Sequence, residues 1–241
     1  MRIPRIFQDQ SLSPGQRIQL EQSAAHHLCR VLRSRNDDPI ILFNGQGGEY
    51  HCRLQIDGKQ VFAEVQSFDA VDRESSLEIT LLQGISKGDR MDFSIQKAVE
   101  LGVTRIIPVI CQRTVVNLKQ DRADRKLQHW HGVIINACEQ SGRTLVPELS
   151  EISKLDTILK HAIEGESLVL DPQADLRIQQ LDAEKRRLTL LIGPEGGLSD
   201  EEIEYSLQQG FKGIRLGPRI LRTETAGLAA IAALQSHYGD F

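Results

Sequence analysis

Two glycine-proline loops decide the fold of this chain: Ile192-Gly193-Pro194-Glu195-Gly196-Gly197 and Leu216-Gly217-Pro218-Arg219-Ile220-Leu221-Arg222-Thr223-Glu224-Thr225-Ala226. Each loop follows a short apolar run and leads into a predicted helix. When two such loops stand at the carboxyl ends of neighbouring strands, their backbones line a slot that suits a nucleotide-like ligand. The second loop also brings a dense polar cluster, Arg222 to Thr225, to a helix start beside that slot.

The N-terminal part of the chain is patterned as short strands separated by turns. Ile40–Phe43 runs into the hairpin dipeptide Asn44-Gly45, and Tyr50–Ile56 and Val61–Val65 form two further predicted strands. Ala24–Leu32 is predicted to be one short helix. This pattern predicts a small β-barrel or a curled sheet.

A polar, charged stretch without periodicity, Asp69–Ser76, marks a domain boundary. Beyond it, strands alternate with amphipathic helices, which is typical of the α/β class, a mostly parallel sheet with helices on both faces. The predicted strands are Leu77–Leu82, Arg105–Cys111, Ser167–Leu170, Leu188–Ile192 and Ile214–Leu216. The predicted helices run from an Asp89 N-cap to Gly102, over Arg122–Ser141, from a Ser199–Glu202 capping box, and over Thr225–His237.

Composition and motif searches exclude several classes of protein. A net charge of −4 over 241 residues argues against a protein that coats nucleic acid through bulk positive charge. Neither Gly-x-x-x-x-Gly-Lys-Ser/Thr nor Gly-x-Gly-x-x-Gly occurs, which argues against a P-loop NTPase or a dinucleotide-binding domain. A phosphate-dependent enzyme is also disfavoured, because the two glycine-proline loops contain no lysine.

Localisation and metal content follow from a few residue types. No apolar run approaches the roughly 18 residues of a membrane span, and the N-terminus lacks a secretory signal pattern. The four cysteines are widely spaced with no Cys-x-x-Cys pair, which indicates a reduced, cytoplasmic protein. His26, His27 and Cys29 are too few ligands for a metal site, so no metal is expected.

Five motifs in the second part of the chain carry a resemblance to a known family. They are Lys87–Asp92, Ile95–Gly102, Ala137–Arg143 and the two glycine-proline loops, and Arg5–Phe7 and His26–Arg33 add to them near the N-terminus. In this order and spacing the chain resembles the RsmE family of ribosomal RNA methyltransferases, within the SPOUT (trefoil-knot) superfamily.

The resemblance implies an architecture and a reaction. It implies a PUA-like β-barrel over residues 1–72 that binds RNA, and a SPOUT methyltransferase domain over 73–241 with a C-terminal knot. It further implies a homodimer with sites at the subunit interface, S-adenosylmethionine as cofactor, and methylation of one uridine at N3 in 16S rRNA or the small ribosomal subunit. Two alternatives stay open: a non-catalytic RNA-binding ribosome assembly factor, and a SPOUT methyltransferase with another RNA target.

The cofactor residues implied by this resemblance lie in and around the two loops. Glycines lack a Cβ and so allow close approach of backbone to adenine, and leucine and isoleucine side chains supply apolar walls. The set is Leu170, Ile192, Gly193, Pro194, Glu195, Gly196, Gly197, Leu216, Gly217, Ile220, Leu221, Thr223, Thr225 and Ala226. Thr223 and Thr225 are also expected to cap the last helix.

Transfer to uracil N3 requires removal of a proton and stabilisation of the resulting anion. Arg222 is the candidate for stabilising charge on the uracil oxygens, because its guanidinium donates two parallel hydrogen bonds. Glu139 and Glu195 are the carboxylates within the motifs, and either can accept the proton; Glu139 is the preferred catalytic candidate. The predicted RNA contacts are Arg2, Arg5, Arg30, Arg33 and Arg35, with Arg90 and Arg143 near the catalytic motifs.

Overall fold

The computed structural model describes residues 3–58, 60–116, 120–161, 165–181 and 186–241. The chain is divided into two units, each with its own sheet and its own apolar core. The first unit comprises residues 1–74 together with Cys138–Val146, and the second comprises Ser75–Ala137 and Pro147–Phe241. No helix among the described residues is long and apolar enough to cross a membrane.

The first unit is built on a five-stranded sheet with the strand order β1-β3-β4-β5-β2. Its strands are β1 (Arg5–Phe7), β2 (Arg17–Gln19), β3 (Pro39–Phe43), β4 (Glu49–Asp57) and β5 (Gln60–Asp69), and α1 (Gln22–His26) continues as a π-helical turn over His27–Val31. β1 pairs in parallel with β3, and the other pairs are antiparallel. The predicted strands and the predicted short helix are therefore confirmed.

Alternation along the strands builds the core of the first unit. Ile40, Leu42, Leu54 and Ala63 are fully or almost fully buried on one side of the sheet, and Leu28 of the π turn packs into the same cluster. Residues two apart in a strand share a face, so the residues between them point away from this core. The core thus fixes which side of the sheet the helix covers.

The second unit is built on a seven-stranded, wholly parallel sheet with the order β12-β10-β11-β6-β7-β8, and β9 also pairs with β7. The strands are β6 (Glu78–Gly84), β7 (Arg105–Ile110), β8 (Glu148–Leu149), β9 (Ser153–Lys154), β10 (Glu166–Leu170), β11 (Arg187–Ile192) and β12 (Lys212–Ile214). The helices are α2 (Asp89–Glu100), α3 (Gln120–Ser141), whose last residues count with the first unit, α4 (Leu155–Leu159), α5 (Asp200–Gln208) and α6 (Thr223–Tyr238). The predicted α/β class with a parallel sheet is confirmed.

Helices cover both faces of this sheet. Leu82 of β6 and Leu191 of β11 pack in one cluster with Leu155 and Leu159 of α4, and α5 adds Ile203. Gln83 and Ile192 point to the opposite face, where Gly227 of α6 lies against both side chains. Such burial on both sides explains why apolar residues stand at consecutive positions, as in Leu81-Leu82 of β6 and Leu190–Ile192 of β11.

Several element boundaries differ from the predictions by one or two residues, and three of these differences concern helix starts and the second loop. The N-cap of α2 is Gly88, and Asp89 is instead the first helical residue, where its charge favours the helix dipole. β12 ends at Ile214, so Leu216 belongs to the second loop. The N-cap of α6 is Arg222 without a side-chain capping bond, so the expectation that Thr223 and Thr225 cap this helix is wrong.

The capping box at α5 is confirmed. The Ser199 hydroxyl accepts from Glu202 N at 3.1 Å, and the Glu202 carboxylate accepts from Ser199 N at 2.9 Å. Two N–H groups at the helix start are thereby satisfied. The capping box therefore fixes the start of α5, which directly follows the first glycine-proline loop.

Gly84, at the end of β6, supplies a test of how tightly the first loop is seated. A Cβ there would lie 2.7 Å from the Gly193 carbonyl carbon and closer still to Pro194 N, both backbone atoms. We expect Gly84→Ala to lower the free energy of unfolding by about 3 kcal/mol or more, measured by urea denaturation, because the backbone must move.

Gly132→Ala is the matched control, because a Cβ there meets nothing within 4 Å inside α3. It should be neutral or raise the free energy of unfolding by up to about 1 kcal/mol. Equal stability of the Gly84 and Gly132 variants would contradict the tight seating of the loop.

Candidate functional site

A cavity of about 530 Å³ lies at the carboxyl ends of three neighbouring strands of the second unit, β12, β10 and β11. Leu170, Ile192 and Ile214 end these strands and line it. The two glycine-proline loops form the rest of its wall. A volume of this size is typical of a site for a small molecule or cofactor.

The structure brings nearly the whole predicted cofactor set together around this cavity. Its lining includes Leu170, Ile192, Gly193, Pro194, Glu195, Gly196, Gly197, Leu216, Gly217, Ile220, Leu221, Thr223 and Ala226, together with Arg222. Thr225 is not among the lining residues; it lies exposed in the first turn of α6. The two loops therefore line one cavity as expected, although β10 lies between the strands that precede them.

The glycines of the first loop serve the packing of the loop itself. A Cβ on Gly193 would lie 2.7 Å from Leu198 N, and one on Gly196 would lie 2.9 Å from the Arg113 Cβ. Gly197 has a φ of +70° and closes a turn by donating from N to Pro194 O at 2.8 Å. In the second loop, Gly217 has a φ of +127° with nothing within 4 Å of its Cβ position, so it combines a left-handed backbone with open space.

Arg113 anchors the first loop from the turn that follows β7. Its Nη1 donates to Gly196 O at 3.1 Å and to Leu198 O at 3.0 Å. These bonds satisfy two loop carbonyls and use the cationic head of Arg113 for structure. Sequence reasoning missed this residue, because it lies outside every glycine-rich motif.

Glu195 anchors the same loop to the start of α2. Its Oε1 accepts from Lys87 N at 2.7 Å and from Arg90 Nη1 at 3.4 Å. Burial by itself would raise the pKa of Glu195, but the hydrogen bonds from backbone N–H groups and the charge of Arg90 outweigh burial and hold that pKa below its ordinary value. An ionised, engaged carboxylate is a poor general base, so the structure favours an anchoring role for Glu195.

The side chain of Thr223 joins the first loop to the start of α6. Its Oγ1 donates to Gly193 O at 2.5 Å and accepts from Gln83 Nε2 at 3.2 Å. Gln83, on β6, was also missed from sequence, since a lone glutamine in an apolar strand carries no motif.

The second loop presents cations that are not engaged elsewhere. The guanidinium groups of Arg219 and Arg222 form no ion pair or side-chain hydrogen bond with any residue that the structure describes, and both line the cavity. Ile220 between them is 87% exposed. This segment can therefore meet an anionic or hydrogen-bond-accepting group without first breaking an internal contact.

Besides Arg113 and Arg219, three charged residues outside the predicted set line the cavity: Asp171, Asp200 and Arg215. Carboxylates accept hydrogen bonds from an ammonium group, and a guanidinium binds a carboxylate. Together they can hold the charged ends of an amino acid.

Glu139 lies in the first unit, where its Oε1 accepts from Phe7 N at 3.0 Å. Burial raises the pKa of Glu139 above its ordinary value of 4.5, although the Phe7 N–H and the positive charges of His27 and Arg5 oppose the shift. A carboxylate with a raised pKa is better suited to accept a proton than one with a lowered pKa.

The predicted RNA-contacting arginines fall into different environments. Arg143 is 5% exposed and is paired with Glu74 through its Nε and Nη2. The side chain of Arg5 is 7% exposed, is paired with Glu49, and donates to Gly142 O at 3.1 Å. The expectation that Arg5 and Arg143 contact RNA is therefore corrected: both are structural cations whose buried guanidinium groups are paired with carboxylates of the same unit.

The remaining arginines of that set are accessible where they are described. Arg30, Arg33 and Arg35 are exposed around the π-helical turn and form no ion pair among the residues that the structure covers. Arg90 is half exposed beside Glu195. Arg2 lies outside the described residues.

Comparison with protein families gives two matches in the chain. A family described as an RNA methyltransferase domain matches residues 73–235. A family described as an RNA methyltransferase PUA domain matches residues 20–66.

Individual relatives agree with these matches over most or all of the chain. The chain is 39% identical to the ribosomal RNA small subunit methyltransferase E of Buchnera aphidicola subsp. Schizaphis graminum (strain Sg), over 99% of this chain and 98% of that protein. It is 32% identical to the protein of the same name from Bacillus subtilis (strain 168), over 87% and 86%. The crystal structure of the Neisseria gonorrhoeae protein of that name, bound to S-adenosyl methionine, has a TM-score of 0.93 and 41% identity and covers 100% of both chains.

Glu139 and Glu49, both in the first unit, predict opposite pH dependences of stability. The raised pKa of Glu139 means that its ionised form is disfavoured in the folded protein. The contribution of Glu139 to the free energy of unfolding therefore falls as pH rises through the ordinary pKa of 4.5. Burial opposes ionisation of Glu49 as well, but Arg73 and Arg5 outweigh it and lower that pKa, so this stabilisation is present at neutral pH and is lost as pH falls.

We therefore expect Glu139→Gln to gain stability relative to the wild type as pH rises from about 4 to about 7, since the amide oxygen still accepts from Phe7 N. Glu49→Gln should lose stability over the same interval. Thermal denaturation of the three proteins at several pH values measures both trends. Parallel trends for the two variants would contradict the assignment.

Proposed function

The chain belongs to the RNA methyltransferase family that includes the ribosomal RNA small subunit methyltransferases E, and from this premise we infer that it is an enzyme that methylates small-subunit ribosomal RNA with S-adenosylmethionine. The observation that carries the proposal is the cavity between two glycine-proline loops at the carboxyl ends of β10, β11 and β12. The lining of this cavity offers apolar side chains for the adenine of the cofactor and charged side chains for its methionine end.

The cavity suits a purine nucleoside joined to an amino acid. Leu170, Ile192 and Leu221 supply apolar contacts for the adenine faces, and the loop backbones supply hydrogen-bonding groups. Asp171, Asp200 and Arg215 offer partners for the ammonium and carboxylate groups of the methionine end. When bound, the cofactor supplies an electrophilic methyl group on a sulfonium.

We propose uridine N3 of 16S rRNA as the acceptor. The new N3–carbon bond forms as the carbon–sulfur bond breaks, and the N3 proton must leave to a base. Arg222 lines the cavity, and its guanidinium has no partner among the described residues, so it is our candidate to stabilise negative charge on the uracil oxygens. Glu139, with its raised pKa, is our candidate for the proton acceptor. Neither step requires a metal ion.

The finer architecture is also part of the proposal. We infer a SPOUT-type trefoil knot within residues 73–241, a PUA-like β-barrel over residues 1–72, and a cytoplasmic homodimer with its sites at the subunit interface. The five-stranded sheet with its antiparallel hairpins and the family match at residues 20–66 support the barrel. In the family that the sequence resembles, the knot binds the cofactor. The two glycine-proline loops around one cavity are consistent with such a knot in this chain.

RNA binding is proposed for the exposed surface around the π-helical turn of the first unit. Arg30, Arg33 and Arg35 can neutralise phosphates, and Val31 and Leu32 are exposed between them. Because the reacting base must enter the cofactor cavity, the target uridine has to be unpaired or flipped out of its stack.

Methyl transfer tests the function directly. We expect the wild-type protein to transfer labelled methyl from S-adenosylmethionine to small subunits or to 16S rRNA that lack the modification, with 3-methyluridine at one site by mass mapping. Transfer to another position in the RNA would confirm a methyltransferase but show that its target is a different nucleotide. Cofactor binding without transfer to either RNA would reopen the substrate, and absence of both would favour a non-catalytic assembly factor.

In the same assay, Arg222→Ala should reduce turnover by about 100-fold or more, because it removes a donor aimed at developing charge. Its affinity for S-adenosylmethionine, measured by calorimetry, should change little. Arg113→Ala is the contrasting variant, since Arg113 anchors the loop and should affect cofactor affinity first. Equal loss of affinity and turnover in Arg222→Ala would mean that Arg222 has a structural role and does not stabilise charge on the uracil.

The RNA surface makes a salt-dependence prediction. Replacing Arg30, Arg33 and Arg35 by Gln should reduce the slope of log K against log salt by about 2, since each phosphate contact with single-stranded RNA contributes about 0.7. Filter binding of a 16S rRNA fragment between low and moderate salt measures it. Arg125→Gln, an exposed arginine of α3, is the control, and an unchanged slope in the triple variant would contradict the assignment.

A further inference from the structure

Gln83 and Thr223 form a buried hydrogen-bond relay that ends on the first glycine-proline loop. Gln83, 1% exposed at the end of β6, donates from Nε2 to Thr223 Oγ1 at 3.2 Å and to Gly84 O at 3.0 Å. Thr223, 7% exposed at the first residue of α6, donates from Oγ1 to Gly193 O at 2.5 Å. None of these contacts depends on a bound ligand.

The directions of these hydrogen bonds are determined by the groups themselves. Gly84 O and Gly193 O can only accept, so the amide nitrogen of Gln83 must face Gly84, and the hydroxyl proton of Thr223 must point to Gly193. The Thr223 oxygen then accepts from Gln83. These contacts therefore fix one donor–acceptor order, Gln83 N–H to Thr223 O–H to Gly193 C=O.

The relay joins three elements that converge at the cavity. Gln83 stands on a central strand, Gly193 opens the first loop, and Thr223 begins the helix that follows the second loop. Gly193 and Thr223 both line the cavity, whereas Gln83 does not. One hydrogen bond thus joins Thr223 to the first loop, and a second, buried hydrogen bond ties Thr223 to β6.

We propose that Gln83 and Thr223 are positioning residues for the cofactor: their relay fixes the first loop against the start of α6 and so sets the width of the slot. This deepens the proposed function and rests on it. Gln83 acts only through Thr223, without contacting the ligand. One lone pair of the Gly193 carbonyl is used by the relay, which directs that carbonyl toward the protein.

The consequence for binding follows from the cost of breaking the relay. Without the Thr223 hydroxyl, the Gly193 carbonyl and the Gln83 amide lose a buried partner, and the loop gains by moving to satisfy them elsewhere. The cofactor then has to restore the closed arrangement out of its own binding energy. The effect should therefore fall on cofactor affinity more than on the rate at saturation.

Four variants test the relay: Thr223→Val, Thr223→Ser, Gln83→Met and the double Gln83→Met/Thr223→Val. Calorimetry should give an S-adenosylmethionine Kd about tenfold higher for Thr223→Val and for Gln83→Met, equivalent to one lost buried hydrogen bond. Turnover at saturating cofactor should fall by a smaller factor than the factor by which Kd rises. Thr223→Ser, which keeps the hydroxyl, should bind within about threefold of the wild type.

The double variant separates a relay from two independent contacts. Because both residues act on the same carbonyl, its Kd should rise by much less than the product of the two single effects. Multiplicative effects, wild-type affinity in Thr223→Val, or equal weakening by Thr223→Ser would each overturn the proposal. Failure of both single variants to fold would also overturn it, since the relay would then support the fold. If the wild-type protein itself does not bind S-adenosylmethionine, the proposed function fails instead.

Discussion

The seating of the first glycine-proline loop against the end of β6 is the constraint on which the cavity depends. Gly84 leaves no room for a Cβ beside Gly193 and Pro194, so strand and loop are in backbone contact. Arg113 and Thr223 donate to carbonyls of the loop, and Glu195, within the loop, accepts from Lys87 N. A loop fixed in this way can act as a preformed wall, and a ligand does not have to supply the energy of ordering it.

The position of this wall could be predicted from the sequence, but its supports could not. Strand–loop–helix alternation places the two loops at the carboxyl edge of a parallel sheet, because consecutive strands of this class run in one direction. The supports come from residues far away in the chain, such as Gln83 and Arg113, and their side-chain types are ordinary. Only the folded topology brings them to the loop carbonyls, so no local pattern indicates them.

The sequence does not indicate which charged side chains are buried in ion pairs and which are exposed. Arg5, Arg143 and Arg30 are indistinguishable as cations in the sequence, but the first two are buried with Glu49 and Glu74 and the third is exposed. Paired, buried guanidinium groups hold elements together, and unpaired exposed ones remain available to phosphates. The same distinction separates Glu195, whose charge is held by N–H groups and Arg90, from Glu139, whose burial raises its pKa.

The two loops differ in how far their polar groups are engaged by other residues. In the first loop, the carbonyls of Gly193, Gly196 and Leu198 accept from Thr223 and Arg113, which makes the loop a rigid support. In the second loop, Arg219 and Arg222 have no such engagement among the described residues, and Gly217 opens onto free space. Groups that must respond to a reacting base need to be free of internal partners, whereas groups that hold a cofactor need to be fixed. In the proposed reaction the second loop therefore supplies Arg222, whereas the first loop supplies a fixed wall of the cavity.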